Sequence, residues 1–144
     1  MANFLLIEDD NTVAREKQRN LERLGHQVYW AHAPSDAGRF DSARIILQEK
    51  DIDALFLDIA LEERFSGIFL YNRLAAAYRE LWKHTFIWSK YTNSQLREMH
   101  HGDYEFPIRV FVDTAQIPDE NLFRSSSNID LEILKKRLVD LGLQ

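Results

Sequence analysis

Two short apolar runs in the 144-residue chain each end in acid. Phe4-Leu5-Leu6-Ile7 leads into Glu8-Asp9-Asp10, and Ala54-Leu55-Phe56-Leu57 leads into Asp58. In an open parallel sheet the carboxyl ends of the strands form the ligand crevice, so carboxylates at two strand ends gather on one edge. Clustered carboxylates of this kind suit a hard cation, and with it a phosphoryl group. Taken alone, Glu8-Asp9-Asp10 also reads as a polar strand exit in front of a helix, where carboxylates interact favourably with the helix dipole. Asp58 carries more weight, because a carboxylate closing a buried strand incurs a desolvation penalty unless it is paired or lies in a crevice.

The elements that position these residues follow from periodicity. A helix from Asn11 or Thr12 to Leu24 carries Val13, Lys17, Leu21 and Leu24 on one face, with Asn11 as N-cap and Gly25 as its stop. Gln27 to Ala31 reads as a short strand. Pro34 and Ser35 open a second helix to Glu49, with Ala37, Phe40, Ala43 or Arg44, and Leu47 as its stripe. Ala54 to Asp58 is continuously apolar up to the acid, as expected of a central strand covered on both faces. Gly67 precedes a third helix reaching Tyr78 or Leu81, with Leu70, Leu74 and Ala77 facing inward; Thr85 to Ser89 is a fourth strand. Asn93 caps a short polar helix, and Arg109 to Val112 is the expected fifth strand. A long connection from Asp113 to Ser127 contains a helical turn at Pro118-Asp119-Glu120-Asn121. Asn128 caps a last helix with Leu131, Leu134, Leu138 and Leu141 at helical spacing and Gly142 as its stop. Alternating strands and helices predict a three-layer α/β sandwich, doubly wound around a parallel sheet with right-handed crossovers.

Composition narrows the function classes. A chain of this length, 45% hydrophobic and 28% charged, is expected to form one globular domain over residues 1–144. With no cysteine it has no disulfide, thiolate metal site or thiol nucleophile. A net charge of −5 argues against direct nucleic-acid binding. No apolar run is long enough for a membrane span and no leader pattern precedes the first strand, so a cytoplasmic protein is expected. Five glycines without a G-x-G or G-K-S/T pattern give no nucleotide-binding signature. His100-His101 lacks a partner at helical metal-ligand spacing, and Trp30, Trp82 and Trp88 with Phe56 and Phe86 are read as packing.

This arrangement resembles the response regulator receiver domain, the phospho-accepting half of two-component signalling, over nearly the whole chain. The resemblance implies a flavodoxin-like five-stranded sheet in the order 2-1-3-4-5. It implies that Glu8 and Asp9 are the acidic pair closing the first strand, Asp58 the phospho-acceptor, and Ser89 the hydroxyl that touches the phosphoryl group. Mg²⁺ would be held by Asp9, Asp58 and the Ala60 carbonyl, with Glu8 acting through a water that it holds. The implied partners are a histidine kinase or phosphotransfer protein and a downstream protein target, and the only chemistry is self-phosphorylation and autodephosphorylation at Asp58.

Receivers carry a lysine at the end of the fifth strand. A strand at Arg109 to Val112 puts Asp113 there, beside an acidic cluster, where a like-charge contact near 4 Å costs about 4 kcal/mol before screening. Lys90 or Arg109 are the alternative sources of the cation, and Phe111 or Val110 the residue at the aromatic switch position. The loop after Asp58 also departs from the pattern: Leu61-Glu62-Glu63-Arg64 lacks the expected proline. Three functions follow: a phosphorylated receiver, a pseudo-receiver read by partners without phosphorylation, and an α/β phosphatase of the haloacid dehalogenase type. The last lacks its second acid, because Ala60 stands two residues after Asp58.

Overall fold

Four apolar segments with little polar interruption assemble most of the sheet. In the computed structural model, which describes residues 1–33, 35–58, 66–78, 84–89, 117–124 and 131–143, they are β1 (Asn3–Ile7), β2 (Gln27–Trp30), β3 (Ala54–Leu57) and β4 (Thr85–Ser89). A short β5 (Leu122–Arg124) completes a parallel sheet in the order β2-β1-β3-β4-β5, as expected from the resemblance. Among the described residues the helices are α1 (Asn11–Arg23), α2 (Asp36–Glu49), α3 (Ser66–Ala77) and α4 (Leu131–Asp140).

Alternation along the strands divides the core into two layers. Phe4, Leu6, Phe56, Phe86 and Trp88 pack with Ala14 and Leu21 of α1 and Leu134 and Leu138 of α4. Leu5, Ile7, Leu55, Leu57 and Ile87 pack with Ala43 of α2 and Leu70, Tyr71 and Leu74 of α3. All four residues of β3 are buried, which is what its unbroken apolar run requires.

Several details differ from the periodic reading. The N-cap of α1 is Asp10, not Asn11, which is the first residue inside the helix: the Asp10 carboxylate accepts from the Val13 amide at 3.0 Å. Gly25, at a φ of 92°, ends α1 as expected. On α2 Arg39 and Ala43 are buried, with Arg44 and Ala37 exposed; on α3, Tyr71 is buried and Ala77 is not.

The fifth strand is the main correction. It is Leu122–Arg124, so Asp113 does not close the sheet's fifth strand. Val110-Phe111-Val112 has the stronger strand composition, but the segment paired with β4 is the later one. The turn Asp119–Asn121, expected as helical, delivers Asn121 into the interior. There its side-chain amide donates to the Thr85 carbonyl at 2.9 Å and its Oδ1 accepts from Arg137 Nε of α4 at 2.8 Å. The helix expected at Asn93, Trp82, the His100-His101 pair, Lys90, Arg109 to Val112, Asp113, Ala60, the loop at residues 61–64, Ser125 to Ser127 and the Asn128 cap lie outside the described residues.

His26 anchors the start of the sheet. Its Nδ1 accepts the Ala2 amide at 3.0 Å and its ring lies 4.6 Å from that of Phe4. Burial, and secondarily the N-terminal ammonium, push its imidazole below the ordinary histidine range, with Asp53 opposing. The folded state therefore binds fewer protons than the unfolded chain, so His26 contributes stability that is present above about pH 6.5 and is lost as pH falls below it. In urea unfolding, the midpoint of His26→Gln is expected to fall less than that of wild type between about pH 7.5 and about pH 5.5.

Candidate functional site

The ends of β1 and β3 are pinned side by side: Ile7 pairs with Leu57, and the Asp58 amide donates to the Ile7 carbonyl at 3.1 Å. One residue beyond this level stand Glu8 and Asp58, and Asp9 follows. Glu8, Asp9 and Asp58 each offer a carboxylate oxygen, and these atoms lie within 4.8 Å of one another. Glu8 is 3% exposed and Asp58 9%, so the cluster sits at the floor of the edge rather than on a solvated surface. The third acid of the run, Asp10, is committed to capping α1 and is exposed.

Each carboxylate has a distinct environment. Burial, and after it the neighbouring Glu8 charge, raise the Asp9 carboxyl from its ordinary value, and Arg39 of α2 works in the opposite direction. The smaller part, due to the neighbouring Glu8 charge, is the part that a cation between the carboxylates would relieve. Glu8 is held on all sides. Its Oε2 accepts from Lys17 Nζ at 2.6 Å, its Oε1 from the Asp10 amide at 3.3 Å, and its backbone carbonyl from Trp30 Nε1 at 3.0 Å.

Lys17 is the residue that reasoning from the sequence did not assign to the site. It is 3% exposed, donates a second bond to the Trp88 carbonyl at 3.2 Å, and has the Trp88 ring centroid 5.0 Å from its Nζ. The signal was present in the pattern, since Lys17 falls on the inward stripe of α1 between Val13 and Leu21. A lysine at a core position needs a buried counter-charge, which the fold supplies as Glu8.

Ser89 ends β4, next to Trp88, and is paired in register with Arg124 of β5. Of the expected site residues, Glu8, Asp9 and Asp58 are brought together, Ser89 stands at the end of the adjoining strand, and Ala60 is outside the described residues. The donor set is three carboxylates, all oxygen, which fits a hard divalent cation such as Mg²⁺. Among the described residues no helix is long and apolar enough to cross a membrane.

Solved structures with this architecture cover almost the entire chain. A CheY-like response regulator receiver domain protein from Methanospirillum hungatei JF-1 matches with a TM-score of 0.65 at 14% identity, covering 99% of this chain and 94% of its own. The chain has the receiver-domain fold. The response regulator TrrA of Thermotoga maritima in complex with Mg²⁺-BeF matches with a TM-score of 0.61 at 13% identity, over 98% of this chain and 99% of that one. The complex of the histidine kinase ThkA with TrrA matches with a TM-score of 0.64 at 15% identity, over 98% of each chain. No protein-family model and no curated protein sequence matches the chain. In this chain Glu8 and Asp9 follow the end of β1 and Asp58 follows the end of β3.

Proposed function

We propose that this chain is a signal-transduction receiver that accepts a phosphoryl group on Asp58 and thereby changes its binding to a protein partner. The observation that carries the reading is the convergence of Glu8, Asp9 and Asp58 at one sheet edge, with Asp58 at the end of a fully buried central strand. A carboxylate oxygen of Asp58 attacks phosphorus in line with the leaving group. The acyl phosphate bond forms as the donor's P–N bond to histidine, or P–O bond in acetyl phosphate, breaks, and the electron pair leaves with the donor. Asp9 and Asp58 would hold Mg²⁺, which supplies charge neutralisation on the phosphoryl oxygens. Ser89 is the hydroxyl residue at the neighbouring strand end, and the last residue of β5 in register with it is Arg124 and not Asp113. The fit of the Thermotoga regulator seen with Mg²⁺-BeF, and of the same regulator bound to its kinase, supports a histidine kinase or phosphotransfer protein as phosphoryl donor.

Incubation with acetyl phosphate and Mg²⁺ is expected to add one phosphoryl mass to the wild type and none to Asp58→Asn, with the adduct also lost when the metal is chelated. Beryllofluoride should shift amide resonances around Asp9, Asp58 and Ser89. A second reading is supported by Lys17: an internal cation already neutralises one acid, as suits a pseudo-receiver that partners recognise without phosphorylation. Absence of the adduct and of any beryllofluoride response in folded wild type would decide for that reading.

A further inference from the structure

Lys17 occupies a place where the spacing of α1 calls for an apolar side chain, four residues after Val13 and four before Leu21. Of the three donors on its ammonium, one is engaged by Glu8 Oε2 at 2.6 Å and one by the Trp88 carbonyl at 3.2 Å. It therefore ties the end of β1 to the end of β4 across the end of β3. The second oxygen of Glu8 is taken by the Asp10 amide at 3.3 Å. Both oxygens of Glu8 are thus engaged inside the protein, at 3% exposure, whereas Asp9 is half-buried at the edge.

We infer that Lys17 is a positioning residue of the cation site: it holds Glu8 as an internal ion pair, so that Asp9 and Asp58 are the carboxylates that take a divalent cation, and it sets the affinity for that cation. A divalent cation needs oxygen lone pairs, and an ammonium in contact with Oε2 competes for them. It also cancels one of the cluster's three negative charges. The inference rests on the receiver reading only in taking the ligand to be a divalent cation.

The test is calorimetric titration of the full chain with Mg²⁺, comparing wild type, Lys17→Met and the double variant Glu8→Gln/Lys17→Met, each checked for native near-ultraviolet dichroism. Removing the ammonium leaves a third carboxylate available, so Lys17→Met should bind Mg²⁺ about tenfold tighter, and the second substitution should remove that gain. A lysine that only supported the fold would weaken binding or leave it unchanged on removal; it would not tighten it. Affinity in Lys17→Met no tighter than wild type, or a gain that survives Glu8→Gln, overturns the inference. Should Lys17→Met not fold, the double variant decides: affinity within about threefold of wild type supports the inference, and a loss of about tenfold, marking Glu8 as a ligand, overturns it. If wild type binds no Mg²⁺ while Lys17→Met does, the receiver reading fails and the role of Lys17 stands. If neither binds, both fall.

Discussion

Lys17→Met is expected to lower the free energy of unfolding by about 3–5 kcal/mol, the usual cost of removing one partner from a buried ion pair. The magnitude comes less from the lost attraction than from what remains. Glu8 is 3% exposed, and without the 2.6 Å contact its Oε2 has no compensating cation in direct contact among the described residues. The Trp88 carbonyl also loses the donor at 3.2 Å. Replacing both members, as in Glu8→Gln/Lys17→Met, takes away the uncompensated charge, so the double variant should recover most of the loss. Urea unfolding of the four corners of this cycle, with unchanged slopes, measures the coupling directly. A double variant as unstable as Lys17→Met would mean that Lys17 contributes through its packing on Trp88 and not through Glu8.

Phe56→Ala should be of similar size, about 3–5 kcal/mol, for a purely steric reason. Phe56 is fully buried in the strand that leads to Asp58. Its ring is stacked on Phe86 at 4.7 Å and tilted against Phe4 at 5.1 Å and Trp88 at 5.9 Å, so it joins three strands in one layer. Truncation opens a cavity bordered by strand residues whose backbones are hydrogen-bonded in register and cannot collapse to fill it. Ile133→Ala, on the 59% exposed side of α4, should change stability by no more than about 0.5 kcal/mol and serves as the comparison. Thermal and urea midpoints for the two variants check both the size and the contrast.

Much of the architecture was legible in the chain because local pattern and tertiary role coincide. An unbroken apolar run such as Ala54-Leu55-Phe56-Leu57 can be satisfied only between two layers, and the acid following it can only stand at the sheet edge. The start of α2 and the stop of α1 were also readable, since Ser35 at an N-cap and Gly25 at a positive φ are local requirements. The acids Glu8, Asp9 and Asp58 group together on sequence grounds, because parallel strands put their carboxyl ends at one edge.

The failures are those of residues whose role depends on a distant partner. Leu122-Phe123-Arg124 is too short and too polar to outrank Val110-Phe111-Val112 by composition. It becomes β5 because Asn121, immediately before it, bonds to Thr85 and Arg137, residues 36 and 16 positions away. Lys17 shows the same thing within the site: periodicity put it on the buried face of α1, but nothing local says what neutralises it. The sequence by itself determined the alternating elements and the three carboxylates at the strand ends, while the order of strands followed from the resemblance. Only the tertiary structure decided which segment completes the sheet and which carboxylate is already paired. Hydrophobic periodicity is a property of neighbours along the chain, whereas the pairing of a buried charge or amide is settled by whatever the fold brings within hydrogen-bonding distance.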